Sequence, residues 1–415
     1  MKRMAVLLLV LAACGDDDGP MVTDDGGTDA AMDDAGTDAG PACGVPGEPP
    51  RTRGEHMTIL DAARERLVVF GGNVAVPIMC NPATEIVDEL WTYDLRCESW
   101  SRVEGAAGPG FRSRAGFVVD TMRDRALLFG GRDRRASSGA YTNFDDLWAL
   151  DLETLTWSQI SATGPAPSAR SNPAVAYDAA RDRLIVYGGN TSTSGLSPTG
   201  ADDTFALDLA TNTWSEIAGD GPSPRYAHAY AQTATRFYVF GGTASFDGFL
   251  NDAWFFDFAA NTWTRIVPSG TPPTLRFGAV LFVNEDAAGD RLVVATGHDL
   301  TAIGNLNDLW QLDVATGAWT ELRTGDTHNG AARVCDLPAD FTTQDLDAPE
   351  RRELSAWVQT ATHGYVVGGK TDCGNVNDVW RVDLATPGWE LIGLATTSGE
   401  SCARGGNAGC TAYCF

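Results

Sequence analysis

The sequence predicts an all-β fold, a six-bladed β-propeller, and three recurring features carry that prediction. Six times along the chain a glycine doublet is followed by an acidic segment that ends in an aromatic residue, and then by a single tryptophan. The units recur at a period of about 55 residues, which is typical of an array of one small structural unit. Each unit also divides into four short apolar stretches separated by turn residues, as expected for a four-stranded antiparallel blade.

Each doublet follows the second predicted strand of its blade, where neighbouring backbones approach closely and a side chain would intrude. The doublets are Gly71-Gly72, Gly130-Gly131, Gly188-Gly189, Gly241-Gly242, Thr296-Gly297 and Gly368-Gly369. The later tryptophans open the fourth strands and offer large apolar surfaces to bury between blades. These tryptophans are Trp100, Trp157, Trp214, Trp263, Trp319 and Trp389.

The third unit illustrates the strand assignment. Residues 173–178, 184–189, 204–209 and 214–217 are its four predicted strands. The aspartate that ends each third strand stands where a side chain is expected to accept hydrogen bonds from the turn that follows. These aspartates are Asp94, Asp151, Asp208, Asp257, Asp313 and Asp383.

The N-terminus indicates export. Lys2 and Arg3 precede an apolar run at residues 4–11 that is too short to span a bilayer. Residues 11–14, Leu-Ala-Ala-Cys, resemble a bacterial lipobox, so residues 1–13 are interpreted as a lipoprotein signal peptide and Cys14 as the lipidated residue. An ordinary secretory signal is the alternative. The expected location is the bacterial cell envelope, with the outer membrane favoured over the inner by Gly15.

Charge divides the remaining chain. Residues 14–42 hold nine aspartates and no lysine or arginine, which predicts a disordered, solvated tether. From Cys43 onward 28 basic and 46 acidic residues remain, and no basic patch stands out. A nucleic-acid partner is therefore excluded, and the membrane is expected to be reached through the lipid anchor only. The folded region is expected to be a monomer, with a propeller at 43–393 and a cysteine-rich tail at 394–415.

The cysteines that follow Cys14 are even in number, as expected for disulfides in an exported chain. They are Cys43, Cys80, Cys97, Cys335, Cys373, Cys402, Cys410 and Cys414. Cys335 and Cys373 both fall in long loops at blade 6 and are predicted to pair. Cys97 falls in a short turn, on the face of the propeller opposite to these long loops. Its partner is therefore expected in a terminal segment, either Cys43 or the tail.

Residues 184–189 (LIVYGG) and 202–214 (DDTFALDLATNTW) together resemble the kelch repeat. The pattern recurs in all six units from Arg53 to Trp389. Two units depart from it: Thr296 replaces a glycine in the fifth, and Phe205 replaces tryptophan in the third. The resemblance implies a kelch-type propeller.

The connections separate two faces of the predicted propeller. Short turns join strands one to two and three to four, whereas the longest loops, at 73–87, 132–144, 190–201 and 322–351, lie on the other face. Variable loops on a rigid scaffold are where binding usually occurs. The long-loop face is therefore the candidate functional surface.

Two sets of residues are expected to surround the channel mouth on that face, and the resemblance implies ligand contact for both. The residues after the doublets are Asn73, Arg132, Asn190, Thr243, His298 and Lys370. The arginines that open the blades are Arg53, Arg114, Arg170, Arg225, Arg276 and Arg352, which stand 18, 16, 18, 16, 20 and 16 residues before the doublets. Hydrogen bonding between blades, to acidic pairs such as Asp145-Asp146, is the structural alternative for the arginines.

His298-Asp299 is the most unusual local sequence, because a histidine beside an aspartate at a channel mouth is suited to general base or metal-ligand chemistry. A polar loop in a divergent repeat is the simpler interpretation. His56 and His228 follow their opening arginines by three residues and are interpreted as structural. No catalytic residue, cofactor or metal is assigned.

The favoured function is an interaction module that binds a protein or glycan through the long-loop face. The alternative is a sugar mutarotase of the sialic-acid type, because some bacterial six-bladed kelch proteins have that activity. Copper chemistry of the galactose-oxidase type is disfavoured, because the chain has no evident histidine pair and no room for the further domain.

Overall fold

The computed structural model describes Cys43 and residues 47–75, 84–105, 107–135, 139–245, 248–286, 289–299, 304–325, 347–371 and 374–395. The chain divides into one unit that ends at Cys43 and a second that begins at Gly44. The predicted lipobox and tether, the Cys335–Cys373 pair, and the cysteines at 80, 402, 410 and 414 lie outside the described residues. No helix within the described ranges has the length and hydropathy needed to cross a bilayer.

The second unit contains six four-stranded antiparallel sheets arranged as a β-propeller, as predicted, and each sheet uses four successive segments of the chain. Blade 1 consists of Met57–Asp61, Arg66–Phe70, Leu90–Asp94 and Ser99–Val103. Blade 2 consists of Gly116–Asp120, Arg125–Phe129, Leu147–Asp151 and Trp157–Ile160. Blade 3 consists of Ala174–Asp178, Arg183–Asn190, Gly200–Asp208 and Thr213–Glu216. Blade 4 consists of Ala229–Gln232, Arg236–Phe240, Ala253–Asp257 and Thr262–Ile266. Blade 5 consists of Val280–Asp286, Gly289–Ala295, Leu309–Asp313 and Trp319–Arg323. Blade 6 consists of Ala356–Gln359, His363–Thr371, Gly374–Asp383 and Trp389–Gly393.

Short elements complete the blades. Two-residue strands extend the loops of blades 2, 5 and 6, and one 3-10 turn joins the first two strands of blade 1. These elements are Arg132–Asp133, Thr142–Asn143, His298–Asp299, Gly304–Asn305, Arg352–Glu353 and Ala62–Arg64.

One arginine at the start of each blade anchors that blade internally. Its guanidinium donates to a carboxylate just before the third strand or within it, and to the carbonyl of the first doublet residue. Arg276 contacts both carboxylate oxygens of Asp308, at 2.6 and 2.7 Å, and donates to the Thr296 carbonyl at 3.0 Å. The pairs are Arg53–Glu89, Arg112–Asp146, Arg170–Asp203, Arg225–Asp252, Arg276–Asp308 and Arg352–Asp378. Two-pronged contacts of this kind add a fixed orientation to the charge attraction.

The backbone of the same arginine is bonded to the preceding blade. Gly131 of blade 2 donates its N–H to the Arg170 carbonyl at 2.8 Å, and Arg170 donates its own N–H to the Phe144 carbonyl at 3.0 Å. Equivalent bonds recur at all six junctions, including the one from Gly369 to Arg53 that joins the last blade to the first. The ring therefore closes through the same contacts as every other junction, and within the described ranges no strand is shared between blades.

The position of this arginine in blade 2 differs from the prediction. Arg112, and not Arg114, pairs with Asp146 and donates to the Gly130 carbonyl 18 residues further on. Arg114 lies two residues later and takes part in the channel mouth instead. At the other five positions pairing with the acidic segment is confirmed, although the carboxylate belongs to the arginine's own blade.

The fourth-strand tryptophans pack between blades, as predicted, and all six are buried or half-buried. Trp157 of blade 2 lies 4.9 Å from Phe70 of blade 1, measured between ring centroids. At the closing junction the Tyr93 hydroxyl of blade 1 donates to the Ile392 carbonyl of blade 6 at 2.5 Å. Apolar packing thus accompanies the arginine contacts at each junction.

Short turns and long connections lie on opposite faces, hereafter the short-turn face and the long-loop face. Asp94 accepts hydrogen bonds from the N–H groups of Arg96 and Cys97, at 2.8 and 3.0 Å, and the aspartates that end the other third strands organise their turns in the same way. Cys97 in this turn is disulfide-bonded, and so is Cys43. The predicted turn role of these aspartates is confirmed.

The close junctions predict the effect of adding one methyl group. A Cβ on Gly71 would lie 2.2 Å from the Arg112 carbonyl oxygen, whereas a Cβ on Gly105 would have nothing within 4 Å; the two glycines have similar φ values of 67° and 72°. Gly105→Ala should therefore cost about 1–2 kcal/mol, the cost of a left-handed alanine. Gly71→Ala should cost at least about 2 kcal/mol more, because the junction must open. Urea unfolding of both variants measures the difference, and equal midpoint shifts would contradict the close-packed junction.

Candidate functional site

The six residues that follow the doublets are all buried, and their backbones pair with the residues next to the opening arginines. The pairs are Asn73–Gly54, Arg132–Ser113, Asn190–Ser171, Thr243–Tyr226, His298–Phe277 and Lys370–Glu353. The side chain of Asn73 accepts hydrogen bonds from the N–H groups of Ala75 and Glu85 at 3.1 and 3.0 Å. Asn190 accepts from two N–H groups of its own loop in the same way. These two asparagines shape loops, whereas Arg132 and Lys370 bring charge to the axis.

A ring of residues with positive φ surrounds the axis just inside the mouth. They stand two positions after the pairing arginines and are Glu55, Arg114, Asn172, Ala227, Gly278 and Leu354. Backbone hydrogen bonds join five of the six pairs of neighbours in this ring; for example, the Arg114 N–H donates to the Glu55 carbonyl at 2.9 Å. Positive φ is uncommon for residues other than glycine, so the tertiary structure imposes this conformation.

A buried charge cluster occupies the side of the mouth formed by blades 6, 1 and 2. Oε1 of Glu55 lies 2.7 Å from Nη2 of Arg114 and 3.7 Å from Nζ of Lys370, and its Oε2 lies 3.3 Å from Nη2 of Arg132. Lys370 also lies 3.9 Å from Glu353. Three cations thus meet two carboxylates in the described part of the mouth.

The cluster keeps Glu55 ionised. Burial alone would raise the pKa of its carboxyl, but the charges of Arg114 and Arg132, with the hydrogen bond from Arg114, lower the pKa well below its usual value. Burial and the neighbouring Arg114 lower the pKa of Arg132. Arg132 additionally lies 3.8 Å above the ring of Tyr141, a cation–π contact that compensates part of its lost hydration.

The opposite side of the mouth, formed by blades 4 and 5 with a leucine from blade 6, is apolar. Tyr226, Phe249, Phe277 and Leu354 form one buried cluster there, and the rings of Phe249 and Phe277 lie 5.0 Å apart. A shallow pocket of about 40 Å³ lies between this cluster and the arginines. We call it the mouth pocket; it is lined by Arg114, Arg132, Tyr141, Asn190, Ser194, Gly195, Pro198, Tyr226, Thr243, Phe249 and Phe277.

The histidines divide between the mouth and the blade junctions. His298 Nδ1 lies 3.0 Å from the side-chain oxygen of Asn305, and its ring packs 5.5 Å from that of Phe277. His56 and His228 lie between blades, where a Cβ on the first doublet glycine of the preceding blade would meet their Cε1 atoms at 3.1 and 3.2 Å. Both histidines are thus buried at blade junctions, and their structural interpretation stays a prediction.

The charged and aromatic groups come mainly from positions that sequence reasoning did not single out. Glu55, Tyr226 and Phe277 follow an opening arginine by one or two residues, and that segment differs in every blade. A carboxylate in this segment, Glu55 in blade 1 and Glu353 in blade 6, was the available signal for a charged site. Tyr141 and Phe249 come from long loops, where no repeat pattern indicates which side chain returns to the axis.

Comparison with known proteins identifies similar chains. The family model described as KLHDC2/KLHL20/DRC7 Kelch-repeats domain matches residues 37–218 and 144–337. Acyl-CoA-binding domain-containing protein 5 of Arabidopsis thaliana is 35% identical over 43% of this chain and 25% of its own length. The Rab9 effector protein with kelch motifs of Homo sapiens is 30% identical over 50% of this chain and 53% of its own. Kelch domain-containing protein 10 of Xenopus tropicalis is 27% identical over 66% of this chain and 65% of its own.

These matches cover between a quarter and two thirds of the length of each relative. The relatives therefore contain regions that this match does not reach.

The junction histidines predict a pH dependence of stability. Burial, with the nearby charges of Arg53 and Arg225 respectively, lowers the pKa of both His56 and His228 to about 3. Unfolded histidines take up protons near pH 6.5, whereas the folded ones resist protonation down to about pH 3, so stability falls as the pH is lowered through this range. At pH 4.5 each histidine should cost roughly 2–3 kcal/mol relative to pH 7.5.

The measurement is urea unfolding of the wild type and the His56→Leu/His228→Leu variant between pH 4 and 7.5. The variant should lose less stability on acidification, whatever its stability at pH 7.5. His363→Leu is the control, because that side chain is partly exposed and lies on the short-turn side of blade 6. Parallel curves for wild type and the double variant would contradict the inference.

Proposed function

The chain belongs to the kelch-repeat family, and from that premise we propose that it is an interaction module that binds a protein partner at the long-loop face. The observation that carries the proposal is the mouth pocket, which sets Arg114 and Arg132 opposite the aromatic side chains of Tyr226, Phe249 and Phe277. A carboxylate beside an apolar side chain on the partner fits this combination.

The electrostatics support an acidic contact. Desolvated charges act more strongly than exposed ones, and the buried Arg132 lines the mouth pocket while it lies 3.3 Å from Glu55. An acidic group that enters the pocket beside Arg132 meets this cation, although the chain as a whole carries −25. The contact is therefore local and geometric, and long-range steering by net charge opposes it.

Exposed apolar side chains around the mouth support a protein partner over a small polar ligand. Leu196, in the long loop of blade 3, is 85% exposed, and Leu275, beside an opening arginine, is 42% exposed. Phe111 is also exposed and carries the guanidinium of Arg135 at 3.5 Å from its ring. Aromatic and arginine side chains of this kind are enriched in protein interfaces. One human relative is, by name, an effector of Rab9 and so is itself a partner-binding protein.

Removal of one cation tests the proposal. Full-length protein is applied to an array of immobilised acidic and neutral peptides and of glycans. Arg132→Gln should weaken binding of acidic peptides at least tenfold, because it removes a buried charge that meets the ligand, and His298→Ala should also weaken binding. Arg181→Gln is the matched control, since that arginine is 38% exposed in a short turn on the other face.

Thermal unfolding must show that the Arg132→Gln protein remains folded. An equal loss for Arg181→Gln, or binding of acidic peptides that Arg132→Gln leaves unchanged, would overturn the proposed contact. Binding of glycans alone would replace the protein partner with a carbohydrate.

The sugar mutarotase remains the alternative, and it requires a group that exchanges protons near neutral pH. The lowered pKa of Glu55 makes that carboxylate a poor base, which favours the binding module. A panel of sugars and sialic acids in thermal unfolding separates the two, because a ligand at a hundred times its dissociation constant adds about 2.7 kcal/mol. A sugar-specific shift followed by accelerated anomer exchange would establish the enzyme.

We also propose that the chain is a lipoprotein anchored in the bacterial cell envelope, in the outer membrane, through Cys14. The lipobox-like residues 11–14 and the aspartate-rich stretch that follows support this location. Each buried acyl methylene contributes about 0.8 kcal/mol, so two or more chains hold a protein on a membrane. The acidic stretch then serves as a tether between the lipid and the propeller.

Replacement of the acceptor tests the anchor. In a bacterial host fed an alkyne fatty acid, the wild type should be labelled and recovered with membranes. Cys14→Ser should abolish the label and release the protein or leave its precursor uncleaved. Cys43→Ser, which lies beyond the predicted tether, should keep the label; label retained in Cys14→Ser would contradict lipidation at this residue.

A further inference from the structure

The channel contains a second site that the proposed function does not use. Trp357 of blade 6 donates its indole N–H to the backbone carbonyl of Tyr230 in blade 4 at 2.9 Å, and the two rings lie 5.0 Å apart. Since blades 4 and 6 are not neighbours, this contact crosses the channel. On the mouth side it closes a chamber of about 80 Å³, which Glu55 and Arg114 line. On the other side lies a cavity of about 520 Å³, which we call the wide chamber.

The wide chamber opens at the short-turn face. Its outer rim is formed by exposed residues of the first turns of four blades, Ala62, Thr121, Ala179 and Ala234. Its inner end is formed by the rings of Tyr230 and Trp357, with Phe117 beside them. Its volume lies in the range of small-molecule sites, about 300–1,000 Å³.

Most of the wall is apolar. Leu60, Val118, Val119 and Val358 line the chamber and keep part of their surface exposed, although they lie on the innermost strands of their blades. The small side chain of Ala231 widens the cavity on the blade 4 side. Water against such concave apolar surface is readily displaced by an apolar ligand.

The charges near the rim are already paired. Asp61 accepts from Arg64 and Arg66, at 3.2 and 2.9 Å, and Asp124 lies 2.6 Å from Arg64. A charged ligand would therefore gain little from these groups. An uncharged ligand fits the wall better.

Polar groups in the described part of the wall remain available, among them the hydroxyls of Thr58 and Tyr230. The Tyr230 hydroxyl forms no hydrogen bond with any residue that the structure describes, and the residue lines both the wide chamber and the smaller one. A phenol that lacks a protein partner beside an apolar cavity is suited to bond one hydroxyl or carbonyl of a ligand.

We propose that the wide chamber binds an uncharged, mainly apolar small molecule with one hydrogen-bonding group, which contacts the Tyr230 hydroxyl. The site is independent of partner binding at the mouth, because it opens on the opposite face and Trp357 separates the two. A ligand here contacts the innermost strands of blades 1, 2, 4 and 6 together.

Naphthalene and 1-naphthol are the probes, titrated into the full chain and followed by their fluorescence. Both should bind one saturable site. Val119→Trp, which fills the chamber, should weaken both probes at least tenfold, whereas Val267→Trp, at a residue that is 74% exposed, should leave both unchanged. Tyr230→Phe should weaken 1-naphthol roughly 2- to 10-fold and leave naphthalene unchanged, because it removes one hydrogen bond and little volume. Tyr141→Phe at the mouth is its control.

A second variant that fills the chamber keeps the test valid if Val119→Trp does not fold. Ala231→Leu should act like Val119→Trp, with the exposed Ala210→Leu as its control, and thermal unfolding of each variant reports whether the blades persist. Absence of saturable binding by both probes would overturn the site. So would binding that neither filling variant affects, since the probes would then lie elsewhere. Loss of peptide binding in Arg132→Gln with intact naphthol binding would show the two sites to be separate.

Discussion

One buried arginine per blade holds both the blade and its junction. Its side chain joins the second and third strands of its own blade, and its backbone exchanges two hydrogen bonds with the preceding blade. A buried ion pair contributes little net stability, because desolvation of the charges offsets their attraction. Its effect is orientation: Arg276 and Asp308 meet at two points, which fixes the entry of the blade relative to its own sheet. Repeated six times, this contact sets the geometry of the ring.

That constraint determines which residues reach the axis. Because the backbone of Arg53 is held at the junction, Glu55 two residues later is forced into a positive φ and lines the channel. The same position in other blades holds an arginine, an asparagine, an alanine, a glycine and a leucine, so a uniform scaffold presents six different side chains. The charged half and the apolar half of the mouth follow from this variable segment together with the residues after the doublets and the aromatic side chains of two long loops.

The two ends of the channel have different chemistry for a physical reason. At the long-loop face the channel is narrowed by the ring of positive-φ residues, and two of them, Glu55 and Arg114, are charged. At the short-turn face the innermost strands present mainly apolar side chains to the axis, and the wide chamber lies between them. Trp357 separates the two because its indole spans to Tyr230 in a blade that is not its neighbour. A charged group can thus bind at the long-loop end of the channel without contact with the wide chamber.

The repeated parts were predictable because the doublets, the fourth-strand tryptophans and the turn aspartates recur in the same order in every unit. The sequence therefore determined the six blades and their two faces. The site depended on distances that no repeat encodes. Arg114 could not be told from Arg112 by pattern, because two arginines two residues apart differ only in which one meets Asp146. The convergence of Glu55 on Arg114 and Arg132, and the reach of Trp357 across the channel, arise only when separate blades are brought around one axis. Tertiary structure decided these contacts because their partners lie in different blades, where local propensity has no influence.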